Sequence, residues 1–439
     1  MDKEKTLQAI QQDKIDFIDL MFCDLYGNLK SVTISPRELE DSLDNGKWFD
    51  GSSIEGFTRI HESDMLLIPD VSTYLRLPWL RDDKNVARII CDVHEPNKNP
   101  FEGDPRYVLK RILEKAKRKG YIYRVGPEIE FFLFRSREGR AYHDTAGYFD
   151  FSPQDLATGI RALMVSTLEK LGIKVEMTHH ECAPSQHEID IQYSDALLTA
   201  DNVMILKQAI KTVASDKELH ATFMPKPIYG VNGSGMHTHQ SMFNKRGNNL
   251  FYDKEDKYSL SSLAYHFMGG QLKYIREIVA VLCPTVNSYK RLVRGYEAPV
   301  YICWGQRNRS ALIRVPKAAQ GREKSTRLEL RCPDPSCNPY LAFAVMLAAG
   351  LKGIEEKIEP PNPVEEDVYG FDDQKLAKFY IKTLPANLQE AIEELKGSKL
   401  MRETLGEHSF QKYLEVKLTE WNEFQRSVTD WETERYRNI

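Results

Sequence analysis

The chain has 439 residues, more than one ordinary hydrophobic core accommodates, so two domains or one elaborate domain are expected. Hydrophobic residues make up 41% and charged residues 28% of the sequence, a globular balance that excludes intrinsic disorder. The net charge of −4 disfavours nonspecific binding of nucleic acid, which depends on an excess of basic residues.

No segment of the sequence predicts export or insertion into a membrane. The N-terminus, MDKEKTLQAIQQDK, is polar, and the longest apolar stretch, residues 341–350, is far shorter than the ~20 residues that span a bilayer. Asn338 and Pro339 before that stretch predict a buried helix instead. Seven scattered cysteines without CxxC spacing indicate reduced thiols, so a cytoplasmic protein is expected.

The first hundred residues are predicted to form a small β-rich unit. Strands are expected at residues 15–22, 29–34 and 85–93. The segment WFDGSSIEGF, residues 48–57, is rich in Gly and Ser between aromatic residues, which predicts an ordered loop. The proline-rich stretch HEPNKNPFEGDP, residues 94–105, indicates a boundary after this unit.

Beyond the boundary, helix and strand patterns alternate, so the predicted fold class is α+β. Helices are predicted over residues 104–120, 153–172 and 388–395. The apolar face of the second helix is expected to comprise Leu156, Ile160, Leu163 and Leu171.

The segment GPEIEFFLF, residues 126–134, carries the first chemical signal. Its apolar and aromatic content predicts a buried strand, on which Glu128 and Glu130 point to the same face. Two neighbouring carboxylates in an apolar setting stay ionised only when cations lie beside them. Taken alone, this pattern supports a metal site and two solvent-facing positions about equally.

Three further segments add ligands of the same kind. HHECAPSQHEID, residues 179–190, contains Glu181 and Glu188, NGSGMHTHQS, residues 232–241, contains His237 and His239, and TRLELR, residues 326–331, contains Glu329. Carboxylates with one or two histidines suit Mg²⁺ or Mn²⁺ better than a structural zinc ion, which prefers thiolates. Magnesium commonly bridges protein carboxylates and phosphates, so a nucleotide is the natural partner.

Arginines embedded in apolar sequence form the second signal. They could line solvated faces, but arginines in such settings usually face an anion, and their planar fork fits carboxylate and phosphate. Metals and arginines around a nucleotide are what phosphoryl transfer requires. The sequence contains no P-loop, kinase-type GxGxxG or GxSxG motif, so metals and arginines must hold the nucleotide. The arginines concerned are Arg291, Arg307, Arg309, Arg314, Arg327 and Arg331.

Together these segments resemble the type I glutamine synthetases, from about residue 16 to the C-terminus. Five motifs occur in the family's order: WFDGSSIEGF; GPEIEFFLF; HHECAPSQHEID with NGSGMHTH; VNSYKRL and GYEAP with NRSALIRVP; and LELRCPDPSCNPYLA. The resemblance implies a β-grasp N-terminal domain, residues 1–103, and a larger catalytic domain, residues 104–439, with a curved antiparallel sheet flanked by helices. It also implies a homo-dodecamer of two stacked hexamers, with active sites at subunit interfaces.

The resemblance further implies a role for individual residues. Glu130, Glu181 and Glu188 match ligands of one metal ion, and Glu128, His237 and Glu329 match ligands of a second, each ion being Mg²⁺ or Mn²⁺. The ammonium site is matched by Asp50, Ser53 and Tyr148, and a loop that closes over the site by Glu297. Glutamate and the transferring phosphoryl group are matched by Asn232, Gly233, Arg291, Arg309 and Arg331. Contacts to ATP are matched by Glu176, Tyr193, His239, Ser241, Arg309, Arg314 and Lys324, with Lys317 as a rival for the last.

The implied reaction joins ammonia to glutamate in two steps, through γ-glutamyl phosphate. Two departures from the family pattern bear on regulation. Arg294 stands where the family usually has proline before GYEAP. The chain also lacks the tyrosine-bearing segment of the longer, adenylylated members, which indicates the shorter form controlled by glutamine feedback, with Arg59 at a position tied to that feedback. A regulatory protein partner is not identified by the sequence.

Three other functions compete with this interpretation. A ligase that joins glutamate to an amine or polyamine would keep the metal and ATP groups but change the ammonium pocket, and Asp50, Ser53 and Tyr148 are all present. A noncatalytic regulator-binding protein on the same fold should have lost metal ligands, and all six are present. A two-metal hydrolase would not require the arginine cluster.

Overall fold

The structure is a computed structural model that describes residues 2–54, 56, 64–137, 141–319 and 321–439. In these residues the helices are α1 Lys3–Gln12, α2 Leu39–Asn45, α3 Pro105–Arg118, α4 Thr158–Lys170, α5 Ala196–Asp216, α6 Ser262–Leu282, α7 Ser288–Arg291, α8 Pro339–Glu356, α9 Asp373–Lys378, α10 Leu388–Lys396, α11 Lys399–Leu405, α12 Glu407–Arg426 and α13 Asp430–Tyr436. The strands are β1 Phe17–Cys23, β2 Leu29–Ile34, β3 Lys47–Asp50, β4 Asp64–Pro69, β5 Leu75–Arg76, β6 Val86–His94, β7 Ile122–Phe134, β8 Val175–His180, β9 Gln186–Ile191, β10 Ser194–Asp195, β11 His220–Thr222, β12 Thr238–Phe243, β13 Tyr301–Gly305, β14 Ala311–Arg314 and β15 Leu328–Leu330.

The N-terminal unit is a mixed sheet in the order β2-β1-β6-β4-β3, with β5 beside β6. Strands β1 and β6 run parallel, and the other pairs are antiparallel. Ile18, Leu20 and Ile89 are fully buried in this unit's own hydrophobic core. The strands predicted at residues 15–22, 29–34 and 85–93 are confirmed as β1, β2 and β6.

The loop predicted over residues 48–57 is wrong in its first part. Residues 47–50 form β3, which pairs with β4 and places Asp50 opposite Asp64. Alternation decides this segment, because Trp48 and Asp50 point to one face while Phe49 turns inward and packs against Phe22 with ring centroids 5.1 Å apart.

The larger unit is built on a second sheet in the order β13-β14-β15-β12-β7-β9-β8, with β10 and β11 also pairing with β7. Apart from the parallel pair β13 and β14, the strand pairs are antiparallel. The central strand β7 has 13 residues and is the predicted GPEIEFFLF strand extended at its N-terminal end. Its Ile129, Phe131 and Leu133 point into the main core.

Helices pack on one face of this sheet and form most of the core. The predicted buried helix is α8, which Asn338 caps by accepting hydrogen bonds from the backbone N–H groups of Tyr340 and Leu341. Gly270 of α6 and Gly353 of α8 allow close approach, because a Cβ on either would lie 2.6 Å from the other's Cα. The helix predicted over residues 388–395 is confirmed as α10, with Leu388, Ala391, Ile392 and Leu395 buried.

The second predicted helix is only partly correct. Helix α4 begins at Thr158, five residues after the predicted start, because Asp155 accepts a hydrogen bond from the N–H of Ala157 and holds the preceding turn. Leu156 therefore precedes the helix and is 53% exposed, and Leu163 is 40% exposed. Met164 and Leu168 occupy the buried face instead.

The two units meet at a buried arginine on α3. The Arg106 guanidinium pairs with Asp70 and Asp92 of the N-terminal unit at 2.9 and 2.7 Å, and with Asp201 on α5 at 3.0 Å. The predicted boundary after residue 103 lies immediately before α3, and we keep it as a proposal. Among the described residues, no helix is long and apolar enough to cross a bilayer.

Candidate active site

A cavity of about 290 Å³ opens at the face of the large sheet where β7, β8, β9 and β15 present their charged side chains. The loops that follow β11 and α7 close its sides. The predicted residues that line it are Glu128, Glu130, Tyr148, Glu181, Glu188, Asn232, Gly233, His237, Arg291, Glu297, Arg309, Arg314, Glu329 and Arg331. Residues from seven separate segments of the chain thus share one cavity.

Carboxylates of the adjacent strands β7 and β9 lie side by side on the floor of the cavity. The strand register places Glu130 opposite Glu188 and Glu128 opposite Asp190. Burial, and then the neighbouring Glu181, raises the pKa of Glu130 to about 8. Burial also raises the pKa of Glu188 to about 10, with Glu130 adding to it, and that of Asp190 to about 9, with Glu188 adding to it. Without a bound cation, these carboxyl groups are therefore largely protonated at neutral pH.

A second group of ligands lies beside Glu128. His237, Glu128 and Glu329 each offer a ligand atom, and these atoms all lie within 4.8 Å of one another. His237 Nδ1 is 3.2 Å from Glu128 Oε2 and 3.8 Å from Glu329 Oε1. Burial favours a raised pKa for Glu128, but His239 and His237 outweigh it and hold that pKa well below its usual range.

The end of β8 contributes a third set. His179 Nε2 lies 3.0 Å from Glu188 Oε1, and its Nδ1 lies 3.7 Å from Glu181 Oε1. Burial raises the pKa of Glu181, although the N–H of Cys182 donates to its carboxylate at 2.9 Å. His179, Glu188 and Asp190 form another compact set of candidate ligand atoms.

Arginines enclose the other side of the cavity. Arg314 and Arg331 donate to the two oxygens of Glu329 at 2.8 and 3.0 Å. Buried Arg291 donates to the carbonyls of Cys332 and Arg331, at 2.7 and 3.1 Å. Arg331 Nη1 is buried without a hydrogen-bond partner among the described residues. Arg331, which lines the cavity, therefore keeps a guanidinium donor that no described residue uses.

The donor set fits hard divalent cations. Carboxylate oxygens and one or two imidazoles are what Mg²⁺ and Mn²⁺ accept, and no cysteine thiol belongs to the candidate clusters found among the described residues. Asp190 Oδ1 is buried and has no partner in the described part of the chain. Oxygen ligands with raised pKa values and an open acceptor are the arrangement that a bound cation satisfies.

Several predicted residues lie outside the lining of this cavity. His239 is adjacent to it, since its Nε2 donates to Glu128 Oε1 at 2.6 Å while Arg327 Nε donates to its Nδ1 at 3.2 Å. Glu176 and Tyr193 stand at the outer ends of β8 and β9, Ser241 is in β12, and Lys324 is in the turn before β15. Arg59 lies outside the described residues.

Asp50 and Ser53 are in the N-terminal unit, and neither is among the residues that line the cavity in the described part of the chain. Asp50 Oδ1 accepts a hydrogen bond from the N–H of Ser52 at 2.8 Å. Within one chain, the described residues of the predicted ammonium loop, Asp50 and Ser53 among them, therefore do not share a cavity with the carboxylate cluster.

Sequence reasoning missed several residues of the site, four of which bear on its chemistry. Gln186 Nε2 donates to Glu130 Oε2 at 2.8 Å, and His179, Asp190 and Tyr296 were not predicted either. A signal existed for two of them, because Gln186, Glu188 and Asp190 alternate along β9 and share a face. Tyr296 has no such signal, since it lies in a loop.

Comparison with known proteins agrees with this arrangement. A family model described as the glutamine synthetase catalytic domain matches residues 102–436, and one described as the glutamine synthetase β-grasp domain matches residues 14–96. The chain belongs to the glutamine synthetase family. The predicted fold, a β-grasp domain followed by a larger catalytic domain, is confirmed.

Curated relatives named glutamine synthetase extend over the whole chain. That of Thermotoga maritima is 52% identical and that of Methanosarcina mazei 51%, each over 99% of this chain and 99% or 97% of the relative. A solved structure described as "GmaS/ADP complex-Conformation 1" superposes with a TM-score of 0.91 at 33% identity, covering 99% of both chains. The Plasmodium falciparum glutamine synthetase structure has a TM-score of 0.89 at 26% identity, again over 99% of both chains. These relatives confirm the predicted enzyme class, and the predicted short form is consistent with them.

Proposed function

We propose that this glutamine synthetase family member joins ammonia to L-glutamate at the expense of ATP, giving L-glutamine, ADP and phosphate through γ-glutamyl phosphate. The observation that supports this reaction is one cavity with carboxylates and imidazoles on one side and arginines on the other. The carboxylate side suits cations that carry phosphate, and the arginine side suits the carboxylate and phosphoryl groups of the substrates.

Two divalent ions, Mg²⁺ or Mn²⁺, fit the residues on the carboxylate side. Glu130, Glu181 and Glu188 would hold one ion, and Glu128, His237 and Glu329 the other, with His179 and Asp190 as additional candidates. When bound, the ions neutralise charge on the phosphates and on the reacting carboxylate. The compact Glu128, His237 and Glu329 cluster is the stronger geometric support of the two.

The remaining residues position the substrates. Arg291, Arg309 and Arg331 hold the glutamate carboxylate and the transferring phosphoryl group, and Asn232 and Gly233 face the amino-acid end of glutamate. A γ-carboxylate oxygen attacks the terminal phosphorus of ATP, and ADP leaves. Ammonia then attacks the carbonyl carbon, and phosphate leaves. Glu297 closes over the site and keeps water from the acyl phosphate.

The nucleotide is held by Arg314, which lines the cavity, and by residues that lie beyond the lining. In this proposal, Glu176, Tyr193, His239, Ser241, Arg314 and Lys324 contact ATP. Arg314 lines the cavity while His239 contacts Glu128, so these two join the nucleotide side to the metal side.

Ammonium binding requires a second copy of the chain. Asp50, which accepts the proton from ammonium, and Ser53 lie outside the cavity of their own chain, whereas Tyr148 lines it. A neighbouring subunit that supplies the Asp50 loop would complete the site, in keeping with a homo-dodecamer of two stacked hexamers. Seven free thiols support a cytoplasmic location.

Feedback inhibition by glutamine, with Arg59 involved, also belongs to the proposal. Its test adds glutamine, and separately AMP, to the assay and compares wild type with Arg59→Ala. Inhibition by glutamine that the substitution weakens is the expected result.

The test of the reaction is phosphate release and product identification with glutamate, Mg²⁺-ATP and either ammonium or a panel of alkylamines and polyamines. Glutamine as the product, with the highest kcat/KM for ammonium, is expected. A higher kcat/KM for any amine would identify that amine, and not ammonia, as the preferred substrate. Absence of glutamate-dependent phosphate release would reject the proposed reaction.

A further inference from the structure

The loop that carries Glu297, residues 293–298, is held in a conformation that its sequence does not favour by itself. Gly295 has φ +92° and Glu297 has φ +56°. A positive φ is unfavourable for glutamate and persists where surrounding contacts impose it. We call residues 293–298 the flap loop, and contacts outside it must supply that constraint.

Lys226 supplies one such contact. Its ammonium nitrogen lies 4.0 Å from the centroid of the Tyr296 ring, the residue before Glu297. The lysine is 9% exposed, so water screens this cation–π contact weakly. Tyr296 lines the active-site cavity, whereas Lys226 lies behind it, outside the described lining.

The same ammonium group also contacts the loop before β12. Lys226 Nζ donates to the carbonyl oxygen of Val231, the residue before Asn232. Residues 225–235, which we call the substrate loop, contain Asn232 and Gly233. This loop is closed on itself at its base, where the N–H of Ser234 donates to the carbonyl of Pro225 at 2.8 Å.

The backbone of Lys226 is fixed independently of its side chain. Its N–H donates to Asn287 Oδ1 at 2.7 Å, and Asn287 Nδ2 donates to its carbonyl at 3.0 Å. Asn287 lies at the start of α7, the helix that ends at Arg291. Lys226 is therefore part of the fixed base of the substrate loop, and its ammonium group contacts both Val231 in the same loop and Tyr296 in the flap loop.

We propose that Lys226 is a positioning residue that couples the flap loop to the substrate loop. Its ammonium group contacts both Tyr296, next to Glu297, and the carbonyl of Val231, next to Asn232, and so fixes the backbones of the two loops relative to each other. The inference rests on the proposed function for its kinetic consequences but not for its structural one. A glutamate that orders the substrate loop would fix the Val231 carbonyl, and through Lys226 it would hold Tyr296 and the closed flap loop. Closure would thereby depend on the amino-acid substrate.

The first test uses limited trypsin digestion of the full-length protein, which does not depend on activity. Arg294 is exposed in the flap loop, and exposed Lys245 in the turn after β12 serves as an internal reference. We expect Lys226→Met to speed cleavage after Arg294 about fivefold relative to cleavage after Lys245, the effect of losing roughly one charged contact. Lys226→Arg keeps a cation beside the Tyr296 ring, so this variant should be cleaved after Arg294 as slowly as wild type.

A matched control breaks a different cation–π contact between a lysine and a tyrosine. Lys257 Nζ lies 4.9 Å from the Tyr258 ring, away from both loops. Lys257→Met should leave the ratio of the two cleavage rates unchanged. The double variant of Lys226→Met and Tyr296→Leu should cleave no faster than the faster single variant, because both substitutions break the same contact.

The second test is kinetic. Lys226→Met should raise KM for glutamate about fivefold and increase ATP hydrolysis in the absence of ammonium relative to glutamine formation, because the flap loop excludes water less well. Tyr296→Leu, which leaves the Val231 contact intact, should increase that hydrolysis with a smaller change in KM for glutamate.

Two outcomes would overturn the coupling. One is an unchanged cleavage ratio in Lys226→Met, and the other is equal acceleration at Arg294 and Lys245, which indicates a general loss of stability. If wild type formed no glutamine, the proposed function would fail, while the digestion ratio would still decide whether Lys226 holds the flap loop.

Discussion

Glu329 accepts hydrogen bonds from Arg314 at 2.8 Å and from Arg331 at 3.0 Å, so one buried carboxylate is shared between two arginines of the cavity. The same carboxylate lies 3.8 Å from His237. Burial favours a raised pKa for Glu329, but His239 and Arg331 outweigh it and lower that pKa. Glu329 therefore stays ionised, which suits its pairing with two arginines and its proposed role as a metal ligand.

Replacing Glu329 by Gln should lower kcat/KM at least about 100-fold, since even residues that only orient metal ligands cost 10- to 100-fold. The amide keeps the shape but removes the charge that both arginines and a cation need. The loss of kcat/KM is measured by steady-state kinetics at several Mg²⁺ concentrations, and circular dichroism confirms that the variant is folded. Glu323→Gln, at an exposed position on the same segment, is the control, and equal activity of the two variants would remove Glu329 from the site.

Cation binding should release protons near neutral pH. Without a cation, the pKa of Glu130 is about 8 because of burial and then Glu181, so this carboxyl is largely protonated at pH 7. A cation requires the carboxylate, so Mg²⁺ affinity should rise between pH 6 and pH 8. Isothermal titration calorimetry in two buffers of different ionisation enthalpy counts the protons. Glu130→Gln should release about one proton fewer, and equal release would contradict the assignment.

The same carboxyl affects stability in the opposite direction. Its pKa is raised from 4.5 in the unfolded chain to about 8 in the fold, so the folded state binds the extra proton between these values. Its contribution to stability is therefore complete below pH 4.5 and is lost as pH rises towards 8. With a chelator present, Tm should fall over this range less steeply in Glu130→Gln, and saturating Mg²⁺ should remove most of the difference.

Two inactive variants should restore activity to each other if the ammonium loop comes from a neighbouring subunit. Asp50→Ala lacks the proposed proton acceptor, and Glu329→Gln lacks a proposed metal ligand. After the two proteins are dissociated and reassembled in equal amounts, about a quarter of the interfaces should combine an intact Asp50 with an intact Glu329. Activity near a quarter of wild type is expected. Unmixed variants carried through the same procedure are the control, and no recovery in well-mixed assemblies would place each site within one chain.

Arg106 should be required for the stability of the junction between the two units. Arg106→Met leaves Asp201 and its neighbours without a buried counter-charge, a change that costs about 3–5 kcal/mol. Thermal unfolding should show a marked drop in Tm. Arg118→Met on the same helix removes an exposed pair with Glu114 and should change Tm little. Equal Tm values for both variants would show that the Arg106 pairs contribute nothing net.

Local patterns in the sequence determined the elements of this protein and the kind of chemistry they carry. Alternation along residues 126–134 placed Glu128 and Glu130 on one face of a strand, and Asn338 with Pro339 marked the start of α8. These predictions depend only on neighbours within a few residues, which is why they agree with the structure. The apolar spacing around Leu156 and Leu163 was equally regular, yet both are exposed. Leu156 precedes the helix, which starts at Thr158 after the hydrogen bond from the Ala157 N–H to Asp155, and the helix buries Met164 and Leu168 instead of Leu163.

Only the tertiary structure decided which faces meet. Strand register brings Glu188 opposite Glu130, and the β12–β15 pair brings Glu329 opposite His239. Glu329 thereby joins Glu128 in one cluster of candidate ligands, although about 200 residues of the chain separate them. Spacing along the chain does not encode such pairings, since any strand with the right alternation could lie next to β7. The contact between Lys226 and Tyr296 is the extreme case. Neither residue belongs to a periodic pattern, and their meeting depends on how two loops pack, which is set by the long-range contacts of the whole catalytic unit.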